Sequence, residues 1–355
     1  MPSVFNTTPD YRRILAVLRR EVSDRIPVYE FFSDNEVQAR ALGSWTPPKG
    51  LPQGDDEYLN IHIRNQYGLG YDYLSPAVGF NFKALSHTIT TDTKGQDHYF
   101  LDESKPHIAS REDFDNYPWP DEGPVNWDGL EYCAKYLPEG MKLIINLGGG
   151  LLEWAMWMMG AEGFCLSIYD DPELVKDVVE RVNRRQVYVA KEVASHPDVI
   201  ACIMGDDMGF KTQTFIPPAL LQAYIFPGLK KVVDVVHAAE KPFILHSCGN
   251  LTEVMDLLID NVGIDAKHSY EDVIMPVAEA KRRWGHKVAL LGGVDMDLLC
   301  RAEETELRAY VCHLIQQCSD GGGFAVGSGN SIANYVPPQN LFVMLDESLR
   351  CQGIC

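Results

Sequence analysis

Eight short apolar runs rich in β-branched and aromatic residues recur along the chain, and most are followed by a longer stretch with helical periodicity. The runs are IPVYEFF (26–32), YDYLSP (71–76), KLIINLG (142–148), VIACIMGDD (199–207), PFILHSCG (242–249), GIDAKHS (263–269), KVALLGGVD (287–295) and GGFAVGSG (322–329). Between them lie PDYRRILAVLRREV, DPELVKDVVERVNRRQVYVAKEVASH, PALLQAYIFPGLKKVVDVVHAAE, MPVAEAKRRWG and EETELRAYVCHLIQQCSDG, with a helix entry at Asp171-Pro172 and an exit at Gly285. An open doubly wound sheet ordinarily has about five to seven strands, so eight β-then-α units favour a closed α/β architecture, the (β/α)8 TIM-like barrel. The expectation is one barrel domain over 1–355. One region breaks the pattern. Between about 77 and 125, FKALSHTITTDTKGQDHYFLD alternates in polarity and NYPWPDEGPVNW is rich in Pro and Trp, which predicts a β-hairpin excursion after the second strand, capping the barrel mouth.

A chain of 355 residues with 46% hydrophobic residues can bury a large core. Its 31 Lys+Arg against 50 Asp+Glu give a net charge of −19, which repels phosphate backbones and anionic lipid surfaces. Nucleic acid and membrane are therefore excluded as partners. The N-terminus MPSVFNTTPDYRRIL lacks a signal-peptide layout, so the expected location is cytoplasmic. The nine cysteines are scattered, and in that compartment they read as reduced thiols, mostly small buried hydrophobes. No dinucleotide fingerprint is present; GGG at 148–150 lacks the spacing.

Barrel chemistry gathers where strands end at their carboxyl side. Here those positions carry Glu30 and Asp34, Asp72, Asn146 with Glu153 just beyond, Asp206 and Asp207, His246 and Cys248, Lys267 and His268, Asp295, and Ser328 with Asn330. His246 and Cys248 stand two apart at the end of the fifth run, so their side chains share a face and can reach one ion. An imidazole with a thiolate suits Zn²⁺, although a bare His-x-Cys also occurs as core filler beside a hydrogen-bonded histidine. Asp206 and Asp207 diverge; one is expected to be functional and the other to cap a turn or helix. Glu153 is either a third metal ligand or a first-turn acid favoured by the helix dipole. His268 and Lys267 are candidates for orienting substrate or moving a proton, or else a pair capping the sixth strand. Glu30, Asp72, Asn146, Asp295 and Ser328 are candidate substrate contacts.

On these residues the sequence resembles the uroporphyrinogen decarboxylase superfamily, and within it the corrinoid-dependent methyltransferase branch. The likeness runs through RIPVYEFF, GDDMGFKTQTFIPPALLQAYIFPGLKKV, FILHSCGNL, GIDAKHSYEDV, ALLGGVDMDLL and FAVGSGNSIANYVPPQNL. It implies a TIM-like barrel with its active site at the carboxyl mouth, and zinc held by a His-x-Cys pair plus a later cysteine. His246 and Cys248 match the pair. Where the later cysteine is expected, this chain has Ser328 between Gly327 and Gly329, which leaves the third ligand to Glu153, Asp206, Asp207 or, less favourably, Cys300.

The resemblance implies methyl transfer between a corrinoid (cobalamin) on a partner protein and a small thiol or O-methyl substrate. No Asp-x-His-x-x-Gly cobalt-ligating motif is present, so the corrinoid is expected to arrive on that partner. Decarboxylase relatives often dimerise, which makes a homodimer an expectation too. The alternative is uroporphyrinogen decarboxylase itself or a metal-free decarboxylase relative. Against it, the arginine-bearing segment after the first strand of those enzymes is replaced here by YEFFSDNEVQA, and a substrate with eight carboxylates needs guanidinium partners. A third reading is a non-catalytic corrinoid or tetrapyrrole binder.

Overall fold

The computed structural model describes all residues except 1–2, 49–50, 52–53, 79–81, 83–86, 92–96, 102–105, 121–124 and 355, and only the backbone of the strands between 87 and 101. Seven parallel strands, each bonded to the next, form one sheet in the order β1 (Tyr73–Leu74), β4 (Lys142–Gly149), β5 (Val199–Gly205), β6 (Phe243–His246), β7 (Ala266–His268), β8 (Ala289–Leu291) and β9 (Phe324–Ala325). Six fall wholly within predicted runs, and β4 passes the end of its run by one residue, Gly149. Their residues are buried on both faces in β5 to β9, as strands sandwiched between a lumen and a helical layer must be.

The first run fills the remaining place without becoming a regular strand. Val28 bridges Val326 in parallel, with Tyr29 N–H donating to Val326 O at 2.8 Å, and Ser33 bridges Ile332. Pro27 has no N–H, which interrupts any longer ladder here. On its other side the link to β1 is a side chain: Tyr73 Oη accepts from Glu30 N–H at 2.9 Å and donates to Glu30 O at 3.1 Å. No backbone pair joins these two segments among the described residues. The curled sheet closed by this segment is a TIM-like α/β barrel.

Helices cover the outside by burying one stripe. The longest, Pro172–Ser195, starts with Asp171 accepting from Leu174 N–H at 3.1 Å and Pro at its first position, and it buries Leu174, Val175, Val178 and Val182. Val277–Trp284 ends at Gly285. Among the described residues no helix is long and apolar enough to cross a membrane. β2 (His87–Thr91) and β3 (Asp97–Leu101) pair antiparallel after β1; how they sit over the barrel falls on residues outside those described.

Asp72 requires a correction. It stands at the amino end of β1, away from the mouth, where its carboxylate meets Arg25 at 3.1 Å and Arg13 at 3.0 Å and accepts from Asp10 N–H at 2.8 Å. It is a buried ion-pair hub that ties the N-terminal segment to the barrel floor, with no substrate role. The extended YDYLSP run does not reveal which end of its strand faces the mouth until the two ordered residues, Tyr73 and Leu74, are seen.

Candidate metal centre

Parallel register sets His246 beside His268 on neighbouring strands, level with Gly205 and Leu291. The two rings share the lumen face and approach until Nδ1 of one is 2.7 Å from Nδ1 of the other. Phe31 stacks on the His246 ring at 4.0 Å, and Tyr29 sets its ring edge against His268 at 5.3 Å. These apolar walls strip water from the imidazoles. Burial pushes the pKa of His246 well below the ordinary value, with His268 and Lys267 adding to the effect, and takes His268 down to about 3. Both rings are therefore neutral at physiological pH.

With Nδ1 engaged, Nε2 of His246 faces Cys248 Sγ at 3.5 Å and Asp207 Oδ1 at 3.8 Å. Asp207, His246 and Cys248 are, among the described residues, the cluster of ligand atoms lying within 4.8 Å of one another. Bonds of about 2.0–2.3 Å in a tetrahedral zinc site put ligand atoms roughly 3.3–3.8 Å apart, a range that holds both distances from His246 Nε2, and the donor types suit a borderline-soft divalent cation. The imidazole behind Nε2 also has the outer hydrogen-bond partner that metal-bound histidines usually have.

Asp207 and Cys248 stand on two loops that are fastened to each other. Asp207 Oδ1 accepts from Cys248 N–H at 2.8 Å, and Gly249 (φ +84°) lies so close to Gly209 that a Cβ would come within 2.2 Å of its backbone. Cys248 Sγ receives Asn330 Nδ2 at 3.2 Å and Ser269 Oγ at 3.6 Å. Burial, then the Asp207 charge, pushes the thiol up to about 12, while these two donors pull the other way. Without a cation the sulfur keeps its proton.

The other sequence candidates have different duties. Asp206, fully buried, accepts from Leu152 and Glu153 N–H at 3.2 and 3.0 Å at the start of helix Leu151–Met159. Gly150 is needed there, since a Cβ would lie 2.1 Å from Asp206 Cγ. Glu153 is corrected as a candidate metal ligand: it folds back toward Gly150 N–H at 3.4 Å and lies outside the cluster, in which Asp207 stands with the His-x-Cys pair. Burial and the adjoining Asp206 raise its pKa, so this acid pair shares protons at neutral pH.

Lys267 is also corrected. Alternation turns it away from the lumen face that His268 occupies, and its Nζ donates to the carbonyls of Ser247 (3.0 Å) and Ser269 while lying over the Tyr270 ring. It steadies the backbone on either side of the thiol. Asp295 caps helix Met296–Arg301 through Asp297 and Leu298 N–H and accepts from Asp272 N–H as well, so its carboxylate is engaged in fixing a helix start and the neighbouring loop. Asp34 likewise caps Asn35–Leu42. Ser328 is wholly buried against Glu30, which accepts its N–H at 2.8 Å and contacts its hydroxyl, so its side chain faces Glu30 and does not line the cavity.

Glu30 and Asn146 line a cavity of about 230 Å³ with Phe31, Ser33, Tyr58 and His62. Asn146 Oδ1 accepts from Gly148 N–H at 2.8 Å. Burial lifts the Glu30 carboxyl to about 8, against the pull of its two Ser328 bonds. Phe31 and Ser269 were missed by reading strand ends for ionisable groups, because a stacking ring and a thiol-binding hydroxyl carry no charge to flag them. Asn330 stood at a noted strand end, yet only the fold shows it reaching Cys248.

A family model described as uroporphyrinogen decarboxylase matches residues 88–349, well over half of the chain. The uroporphyrinogen decarboxylase of Cupriavidus necator is 26% identical over 189 residues, covering 51% of this chain and 49% of that protein. That of Nitrosospira multiformis is 30% identical over 96 residues, 27% of this chain and 24% of that one. The chain thus spans about half, or less, of the length of the curated relatives it matches. A methyltransferase from Methanosarcina mazei superposes with a TM-score of 0.70 over 97% of this chain and 99% of that one at 14% identity, a likeness of fold. From the family match together with this shared barrel, the chain belongs to the uroporphyrinogen decarboxylase family.

Proposed function

We propose that the protein is a zinc-dependent methyltransferase that moves a methyl group between a corrinoid on a partner protein and a small thiol or O-methyl substrate. The observation that carries this reading is the Asp207–His246–Cys248 triad at the carboxyl mouth, a ligand set with a thiol and an imidazole. The three side chains would hold the ion, and zinc so held supplies Lewis acidity toward a substrate sulfur or oxygen through an open coordination position. His268 Nδ1, 2.7 Å from His246 Nδ1, would accept its proton and so leave the Nε2 lone pair free for the ion. Asn330 and Ser269 hold the sulfur in place by donating to it. Phe31 excludes water from the imidazole.

The names of the curated relatives favour a second reading, tetrapyrrole decarboxylation. Among the described residues no arginine or lysine lines the cavity beside the triad, and a substrate of eight carboxylates needs such partners. Zinc content after zinc-supplemented expression separates the two. Stoichiometric zinc, lost in Cys248→Ala, together with a change in methyl-corrinoid absorbance on adding a thiol or methyl ether, supports methyl transfer. Zinc-free protein that decarboxylates uroporphyrinogen overturns it.

A further inference from the structure

Helices Glu304–Cys318 and Pro338–Arg350 pack side by side, and one arginine sets their register: Arg308 reaches Asp346 at 2.6 Å and Glu347 at 2.9 Å. One helical turn beyond that rung stand Cys312 and Cys351, each four residues on from Arg308 and Glu347. Both are free thiols, and Cys312 is close enough to bear on the proton of Cys351. Cys312 lies on the solvent side, where Gln316 Nε2 donates to its sulfur at 3.5 Å, whereas Cys351 packs against the core and opens the turn that ends the last helix. The next residue in that turn grips the first segment: Gln352 Oε1 accepts from Ile26 N–H at 2.7 Å, and its Nε2 donates to Ile26 O at 3.3 Å. That segment carries Glu30 and Phe31 to the mouth without forming a regular strand, so its start depends on such ties.

We propose that Cys312 and Cys351 are a reversible redox site, closing to a disulfide under peroxide and so fastening the turn that holds the first segment. Cys312, on the solvent side, meets the oxidant first. Burial, then Cys312, push the Cys351 thiol up to about 12, so it keeps its proton and serves as the second partner. The Cys312 sulfur breaks the O–O bond of hydrogen peroxide and keeps one oxygen as a sulfenic acid, while the other leaves as water. The Cys351 sulfur then displaces that oxygen: the S–S bond forms, the S–O bond breaks, and the thiol proton departs with the second water. Two electrons pass from the sulfur pair to the peroxide, and a dithiol returns them by exchange.

The test treats the full chain with hydrogen peroxide and maps disulfides by mass spectrometry of non-reduced peptides. Expected is a Cys312–Cys351 link in roughly half or more of the chains, undone by dithiothreitol, retained in Cys318→Ala and Cys355→Ser, and lost in Cys351→Ser. Hydrogen exchange at the Ile26 amide should slow several-fold in oxidised wild type and stay unchanged in Cys312→Ser treated alike. Wild-type protein whose Cys312 and Cys351 stay unlinked, whether reduced or over-oxidised, overturns the site, a result that needs no variant. A link with unchanged exchange at Ile26 overturns its role in fastening the segment.

Discussion

Nδ1 of His246 and Nδ1 of His268 lie 2.7 Å apart, a distance at which exactly one of the two nitrogens carries a proton. If His246 Nε2 is to present a lone pair to a cation, the proton must sit on its own Nδ1, and His268 must be the acceptor. His268→Leu removes that acceptor. Zinc affinity, measured by chelator competition, should fall about 10- to 100-fold, as for other outer partners of metal-bound histidines, and His268→Gln, whose carbonyl can accept, should recover part of the loss.

Proton release on metal binding should distinguish the two ligands. The thiol, held at about 12, must give up its proton, whereas the imidazole is already neutral because its pKa is depressed. Titrating zinc in buffers of different ionisation enthalpy should show about one proton released per ion near neutral pH, and affinity should drop as the medium is acidified. Release of two protons would contradict the depressed histidine.

Gly249→Ala is expected to weaken zinc binding while leaving the barrel folded. A methyl group there runs into the Gly209 backbone and forces apart the loops that carry Asp207 and Cys248. Metal affinity and far-ultraviolet circular dichroism, read on the same sample, check both halves.

Glu30 makes stability depend on pH. Its carboxyl rises from an ordinary 4.5 to about 8 on folding, so its contribution is complete below about 4.5 and disappears as pH climbs through about 8, the unfolded chain ionising first. In metal-free protein, Glu30→Gln should abolish that decline and gain on the order of a few kcal/mol over wild type near pH 8, by urea unfolding. A steeper decline in the variant would refute the buried-acid assignment.

Asp72→Ala leaves Arg25 buried without its anion. Such broken pairs cost about 3–5 kcal/mol, so the melting temperature should fall clearly while zinc affinity stays at the wild-type level. A change in zinc affinity would place Asp72 near the mouth after all.

The barrel was legible because the alternation of β-rich runs and amphipathic stretches is written into composition at every unit, and parallel strands buried on two faces need continuous apolar runs. His246 and Cys248 were legible for a similar reason: spacing of two fixes a shared face. Glu153 and Asp207 could not be ranked from sequence, since both stand just past a strand and their directions depend on a helix start and a Gly–Gly contact made far apart in the chain. Lys267 and Asp295 were misread because ionisable residues at strand ends also serve as loop braces and helix caps, which composition does not separate.

Between the first segment and β1 a single tyrosine hydroxyl stands in for a row of peptide bonds. A cylinder stitched all the way round resists widening everywhere, but this one has a hem. Among the described residues the wall beside the Glu30 cavity is thus held by one side chain, so loss of that hydroxyl alone would leave the first segment unlinked to β1 at this point.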